Sequence, residues 1–98
     1  MSVYIDLAAR MRPDESAESG FRAEHEMIAS SRAEGEAMAK TLKLPKSALV
    51  REGYPRWMVP ADKMVTAINN GALGMTREGV GRVMIMLRQT RQFHEDWA

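Results

Sequence analysis

Residues 76–97 read TREGVGRVMIMLRQTRQFHEDW, and this stretch has the strongest amphipathic pattern of the chain. Thr76 is placed to cap the first free backbone N–H groups, and Met75 precedes it as a hydrophobic staple residue. The pattern predicts one long helix over residues 76–97. At about 100° per residue, one arc of roughly 180° collects most of its larger apolar side chains: Val80, Val83, Met84, Met86, Leu87, Phe93 and Trp97, together with Thr90.

The composition is typical of one small domain, predicted to span residues 1–98. Fourteen basic and thirteen acidic side chains leave a net charge of +1, so no global field attracts nucleic acid or an anionic membrane. Cysteine is absent, which favours a cytoplasmic protein without disulfides or thiolate metal sites. No apolar run approaches the length of a membrane span, so we expect no membrane partner.

The N-terminal half predicts a second long helix over residues 14–42. Its spacing resembles a heptad seam, and such a helix would be about 43 Å long. A globule of this chain length is only about 30 to 35 Å across, so the helix would project beyond it. This favours a homo-oligomer in which a second subunit covers the projecting part. The seam comprises Ala17, Phe21, Glu24, Ile28, Ser31, Gly35, Met38 and Leu42.

The remaining segments are predicted to be short helices and connections. Residues 2–11 are expected to form a helix, residues 54–60 (YPRWMVP) an extended strap between two prolines, and residues 61–69 another helix. Residues 71–75 (GALGM) are expected to link that helix to the C-terminal one. The predicted fold class is therefore all-α, a small bundle of four to five helices with one long helix in each half.

Residues 73–83 (LGMTREGVGRV) resemble the turn and recognition helix of helix-turn-helix proteins. The resemblance implies a transcriptional regulator that dimerises through residues 14–42 and reads DNA with the helix after Thr76. The residues that it assigns to DNA contact are Thr76, Arg77, Glu78, Arg82, Arg88 and Arg91.

Catalytic and cofactor motifs are not recognisable in the sequence. His25 and His94, the two histidines, have no second ligand at a metal-binding spacing on their predicted helices. The glycines around residues 71–81 have neither the lysine nor the upstream strand of a phosphate-binding loop. We therefore expect no enzyme activity, no metal and no cofactor.

The leading hypothesis is a non-enzymatic protein-protein interaction module that forms homo-oligomers. The chain is comparable in size to the accessory inhibitors and adaptors of phages and mobile elements. Large apolar side chains in excess of what one short chain can cover are expected to contact the partner. They are Phe21, Ile28, Met38, Trp57, Met58, Ile85 and Trp97.

Overall fold

The computed structural model describes residues 2–98, which fold around a six-stranded mixed β-sheet. The strands are β1 (Val3–Asp6), β2 (Arg10–Pro13), β3 (Phe21–Ala29), β4 (Leu49–Val50), β5 (Arg56–Pro60) and β6 (Leu73–Met75). The α-helices are α1 (Arg32–Thr41), α2 (Met64–Asn69), α3 (Arg77–Arg88) and α4 (Arg91–Asp96), and short 3-10 turns cover Lys46–Ala48 and Ala61–Lys63. The prediction of an all-α bundle is therefore wrong.

The sheet order is β4-β5-β3-β1-β6, and β2 also pairs with β3. Strand β3 is the central strand, antiparallel to β1, β2 and β5, whereas β6 lies parallel to β1. Because β1 and β2 pair with different parts of β3, the β2–β3 hairpin continues beyond the main sheet as a two-stranded arm.

The sheet has two differently covered faces. Ile5, Met27 and Trp57 are neighbours in the strand register and lie on the face that packs against α1 and α2, which we call the α1 face. Met38, Leu42 and other buried apolar residues complete this core. Side chains alternate along a strand, so Asp6 and Glu26 lie on the opposite face, which is covered by α3 and is called the α3 face.

Gly35 lets α1 approach the sheet closely. A Cβ atom at this position would overlap three carbons of the buried Trp57 indole. The indole also meets Trp97 edge-on at 5.9 Å between ring centroids. The core on the α1 face therefore depends on a glycine that gives room to one large aromatic side chain.

The predicted helix over residues 14–42 is instead a turn, the nine-residue strand β3 and the ten-residue helix α1. Both faces of β3 are covered, so Glu24 through Ile28 are all buried and no alternation of polarity marks the strand. Its Glu, Ala and Met residues favour helix locally, but burial at the centre of a sheet overrides that preference. The 43 Å helix does not form. Its length therefore no longer argues for a homo-oligomer, and residues 14–42 do not provide the proposed dimerisation helix.

Three other segments predicted as helix, strap or linker are strands. Residues 2–11 contain β1 and the first two residues of β2, residues 54–60 contain β5, and residues 71–75 contain β6. In β1 and β5, the residues VYI and WMV have the β-branched and aromatic character of strands. The segments were misassigned because each is short and two of them lie next to prolines or glycines.

The start of the C-terminal helix is confirmed. The Thr76 hydroxyl accepts a hydrogen bond from the Gly79 N–H at 3.1 Å and caps α3. The single helix over residues 76–97 is wrong, however, because Thr90 caps a second helix, α4, by accepting from the Phe93 N–H at 3.2 Å. The break turns α4 towards α1, where the Asp96 carboxylate accepts from the Arg32 N–H at 2.8 Å.

We predict that Gly35→Ala destabilises the protein by about 1 to 3 kcal/mol, because the added methyl group overpacks against Trp57. Gly81→Ala is the matched control, since Gly81 lies in α3 with open space around its missing Cβ. That change should stabilise by up to about 1 kcal/mol through helix propensity. Urea unfolding measures both, and equal effects of the two substitutions would contradict the packing described here.

Candidate functional site: an arginine-lined cleft on the α3 face

Three acidic side chains, Asp6, Glu24 and Glu26, are buried on the α3 face, and Asp6 and Glu26 line a cleft there. Asp6 at the end of β1 is 1% exposed, and Glu26 in β3 is 8% exposed. The antiparallel register of β1 and β3 places these two residues side by side. Burying a carboxylate is costly unless cationic partners and hydrogen bonds compensate, so the surroundings of this pair indicate what it is for.

Glu26 joins three strands through two arginines. Its Oε1 accepts from the Arg10 Nε of β2, and its Oε2 lies 2.8 Å from the Arg56 Nε of β5. Asp6 binds the first residue of α3, with 3.4 Å between its Oδ2 and the Arg77 Nε. Its other oxygen accepts from the Ala8 N–H at 2.8 Å. Three guanidinium groups therefore converge on two carboxylates.

These arginines keep N–H groups that make no hydrogen bond to any residue of the described range 2–98. Arg10 bonds through Nε, whereas the Nη1 of Arg77 and the Nη2 of Arg56 remain available. A guanidinium presents five donors, and two of them can bind one carboxylate or phosphate group at the same time. Three positive against two negative formal charges leave this cluster with a charge of +1.

A cleft of about 270 Å³ lies between the cluster and α3. Its walls include the carboxylates and arginines described above, and Val80, Gly81 and Met84 of α3 form the opposite side. Because the helix excludes part of the bulk water, charged groups in the cleft interact more strongly than on an open surface. The arrangement suits an anion that enters between α3 and the sheet.

Tyr54 lines the cleft. Its hydroxyl is buried and has no hydrogen-bond partner among the residues that the structure describes. Its ring packs against Phe93 at 5.2 Å between centroids, and the Arg88 guanidinium lies 5.4 Å from the ring. Burial raises the pKa of Tyr54, with a smaller opposing effect of Arg88, so the hydroxyl stays protonated at neutral pH and can donate.

A second compartment of about 340 Å³ continues from the cleft along α3. The two spaces share Tyr54, Gly81 and Met84. The second is mainly apolar at Met84 and the exposed Ile85, with Arg88 and Gln89 at its far side. The site is thus one groove with a charged end and an apolar end.

His25 supports the site from the other face of the sheet. It is buried, and its Nδ1 lies 2.8 Å from the backbone oxygen of Asp6. Because a carbonyl oxygen only accepts, Nδ1 carries the proton in this hydrogen bond. The contact fixes the backbone at the end of β1, where the Asp6 side chain turns into the cleft.

The structure does not bring the predicted partner-binding residues together. Ile28, Met38 and Trp57 are buried. Met58 and Trp97 are half-buried, whereas Phe21 on the arm and Ile85 on α3 are exposed. Of this set, only Ile85 lines the groove.

The predicted DNA-contact residues also have other partners. Arg77 binds Asp6, Arg82 pairs with Glu78, Arg88 lies over Tyr54, and Arg91 pairs with Glu95. The segment before α3 is strand β6 in the sheet, so the helix-turn-helix arrangement is not formed. DNA binding itself stays a prediction.

The sequence interpretation missed the residues that form the cleft: Asp6, Arg10, Glu26, Tyr54 and Arg56. One signal was present in the sequence. Residues 24–29 read EHEMIA, in which charged residues lie directly beside a strongly apolar run, and the same holds for VYID at residues 3–6. If both runs are assigned to strands, their acidic side chains lie at a buried surface of the sheet.

Comparison with known protein families, curated proteins and solved structures found no match to this chain. Within residues 2–98, no helix is long and apolar enough to cross a membrane. The same residues form no group of three or more acidic or histidine side chains that could hold a metal ion. A function for the cleft therefore has to be derived from its own geometry and charge.

We predict that Tyr54→Phe raises the free energy of unfolding of the ligand-free protein by about 1 kcal/mol. The substitution removes a buried hydroxyl without a partner and keeps the ring packing. Tyr4→Phe, which removes the same atom from the other tyrosine, is the control and should change stability by less than about 0.5 kcal/mol. A clear loss of stability in Tyr54→Phe would show that the hydroxyl has a structural partner.

The pKa of Tyr54 also predicts how stability depends on pH. Its pKa is higher in the folded than in the unfolded chain, so above the ordinary tyrosine value of about 10 the unfolded state loses its proton first. Stability therefore falls as pH rises beyond that value. The fall should be smaller in Tyr54→Phe, as measured by urea unfolding between pH 9 and 11, and identical slopes in both proteins would contradict this.

Proposed function

We propose that the protein binds a small anionic ligand in the cleft between α3 and the sheet, without catalysis. The supporting observation is the convergence of Arg10, Arg56 and Arg77 on two buried carboxylates at the wall of the cleft, where each guanidinium keeps N–H groups that make no hydrogen bond within residues 2–98. The carboxylates hold the guanidinium groups in place, and the remaining donors bind the oxygens of a phosphate or carboxylate group.

The buried acidic residues favour binding over a purely structural role. Apolar residues in place of a buried ion pair often give equal or greater stability, so such a pair is weak evidence for stability alone. Here the arginines are more exposed than the carboxylates that they contact, with 52% of the Arg10 and Arg77 side chains accessible.

Calorimetric titration with inorganic phosphate at low ionic strength tests the proposal. We expect saturable binding to one site, weakened about tenfold by Arg10→Gln and by Arg77→Gln, because each substitution removes a charged hydrogen-bond donor. Arg91→Gln is the control, since Arg91 is almost fully exposed on α4 and pairs with Glu95. Equal binding by all three variants, or no binding by the native protein, would contradict the proposal.

Self-association is a second candidate function. It is now supported by the β2–β3 arm and not by a long helix. The register of the arm places Met11 and Phe21 on one of its faces, where they are 64% and 51% exposed. An isolated two-stranded ribbon is marginally stable in water. We propose that this apolar face of the arm packs against the same face of a second copy.

Phe21→Glu should abolish that association. Sedimentation equilibrium should give twice the chain mass for the native protein and the single-chain mass for the variant. Val65→Glu, which places a charge at an exposed apolar position on α2, should behave like the native protein. A native protein that is monomeric at high micromolar concentration would exclude this candidate.

A further inference from the structure

The apolar end of the groove indicates what the rest of the ligand is. The compartment next to the arginine cluster is lined by Tyr54, Gly81, Met84, Ile85, Arg88 and Gln89. Ile85 is 65% exposed, so an apolar surface lies open directly beside a charged cleft. A ligand that bears only a phosphate or carboxylate group would leave this surface uncovered.

Gly81 keeps the groove open between its two ends. Apart from its chain neighbours and the backbone of its own helix, no atom lies within 4 Å of the position that its Cβ would occupy, although the residue is in the second turn of α3. Glycine in a helix interior lowers helix stability relative to alanine. The free space at this position is therefore a gap in the helix surface that a flat group can enter.

The polar groups around the apolar compartment fit the edge and face of a nucleobase. Arg88 has a planar guanidinium, of the kind on which unpaired bases stack, and Gln89 has one amide donor group and one acceptor. Tyr54 lines both compartments.

We infer that the groove binds a nucleoside monophosphate, with the phosphate at Arg10, Arg56 and Arg77 and the base in the compartment beside Gly81. This inference rests on the anion-binding function proposed above. Arg77 and Ile85 are eight residues apart in α3, which corresponds to about 12 Å along the helix axis. Both parts of one nucleotide can therefore be in contact with the same helix.

Calorimetric titrations with AMP, GMP, CMP, UMP, ribose 5-phosphate, octanoate and inorganic phosphate test this inference. The tightest nucleotide should bind native protein at least tenfold more strongly than ribose 5-phosphate. Ile85 lines the apolar compartment but not the charged cleft, so Ile85→Ala should reduce that difference roughly fivefold and leave phosphate binding unchanged. Met86→Leu should bind like native protein, because Met86 is exposed and lies outside both compartments.

The outcomes separate this inference from the proposal on which it rests. Phosphate binding without a preference for any nucleotide over ribose 5-phosphate would overturn the base site and leave the anion site intact. Tighter binding of octanoate than of every nucleotide would also overturn it, in favour of an aliphatic carboxylate. Absence of phosphate and nucleotide binding would overturn both. Urea unfolding should show Ile85→Ala to be about as stable as native protein, because Ile85 is exposed.

Discussion

The buried carboxylate of Glu26 lies between Arg10 and Arg56, and the geometry of the α3 face depends on this contact. It connects the three strands β2, β3 and β5, while the neighbouring Asp6 connects β1 to the first turn of α3. Removing one member would leave an uncompensated charge at a buried position. The same ion pairs that tie the strands together therefore also fix where the guanidinium groups point.

The opposite face of the sheet provides most of the apolar burial. Ile5, Met27 and Val59 are fully buried there, and Trp57 fills the space that Gly35 leaves in α1. Apolar burial of this kind is the main favourable term in folding. Because one face supplies this core, the other can carry charged groups and an open groove. A chain of 98 residues can therefore have both a packed apolar core and an open, polar groove.

The sequence predicted features that depend on local interactions and missed those that depend on the sheet. The Thr76 cap was predictable because a hydroxyl before an amphipathic run satisfies free N–H groups within three residues. The nature of β3 was not, because Glu24, His25 and Glu26 are buried only through contacts with distant strands and arginines. For the same reason Arg77 was predicted as a surface residue of a recognition helix, although Asp6, 71 positions away, holds it at the cleft.

The most direct test of an arginine-lined anion site is an NMR titration that follows the Nε–Hε signals of the arginines as inorganic phosphate is added at low ionic strength. The structure predicts that the signals of Arg10, Arg56 and Arg77 shift together and saturate with one common dissociation constant. The signals of Arg82 and Arg91, which form exposed ion pairs within their own helices, should stay in place. Shifts of similar size at all arginines, or at none, would contradict the account.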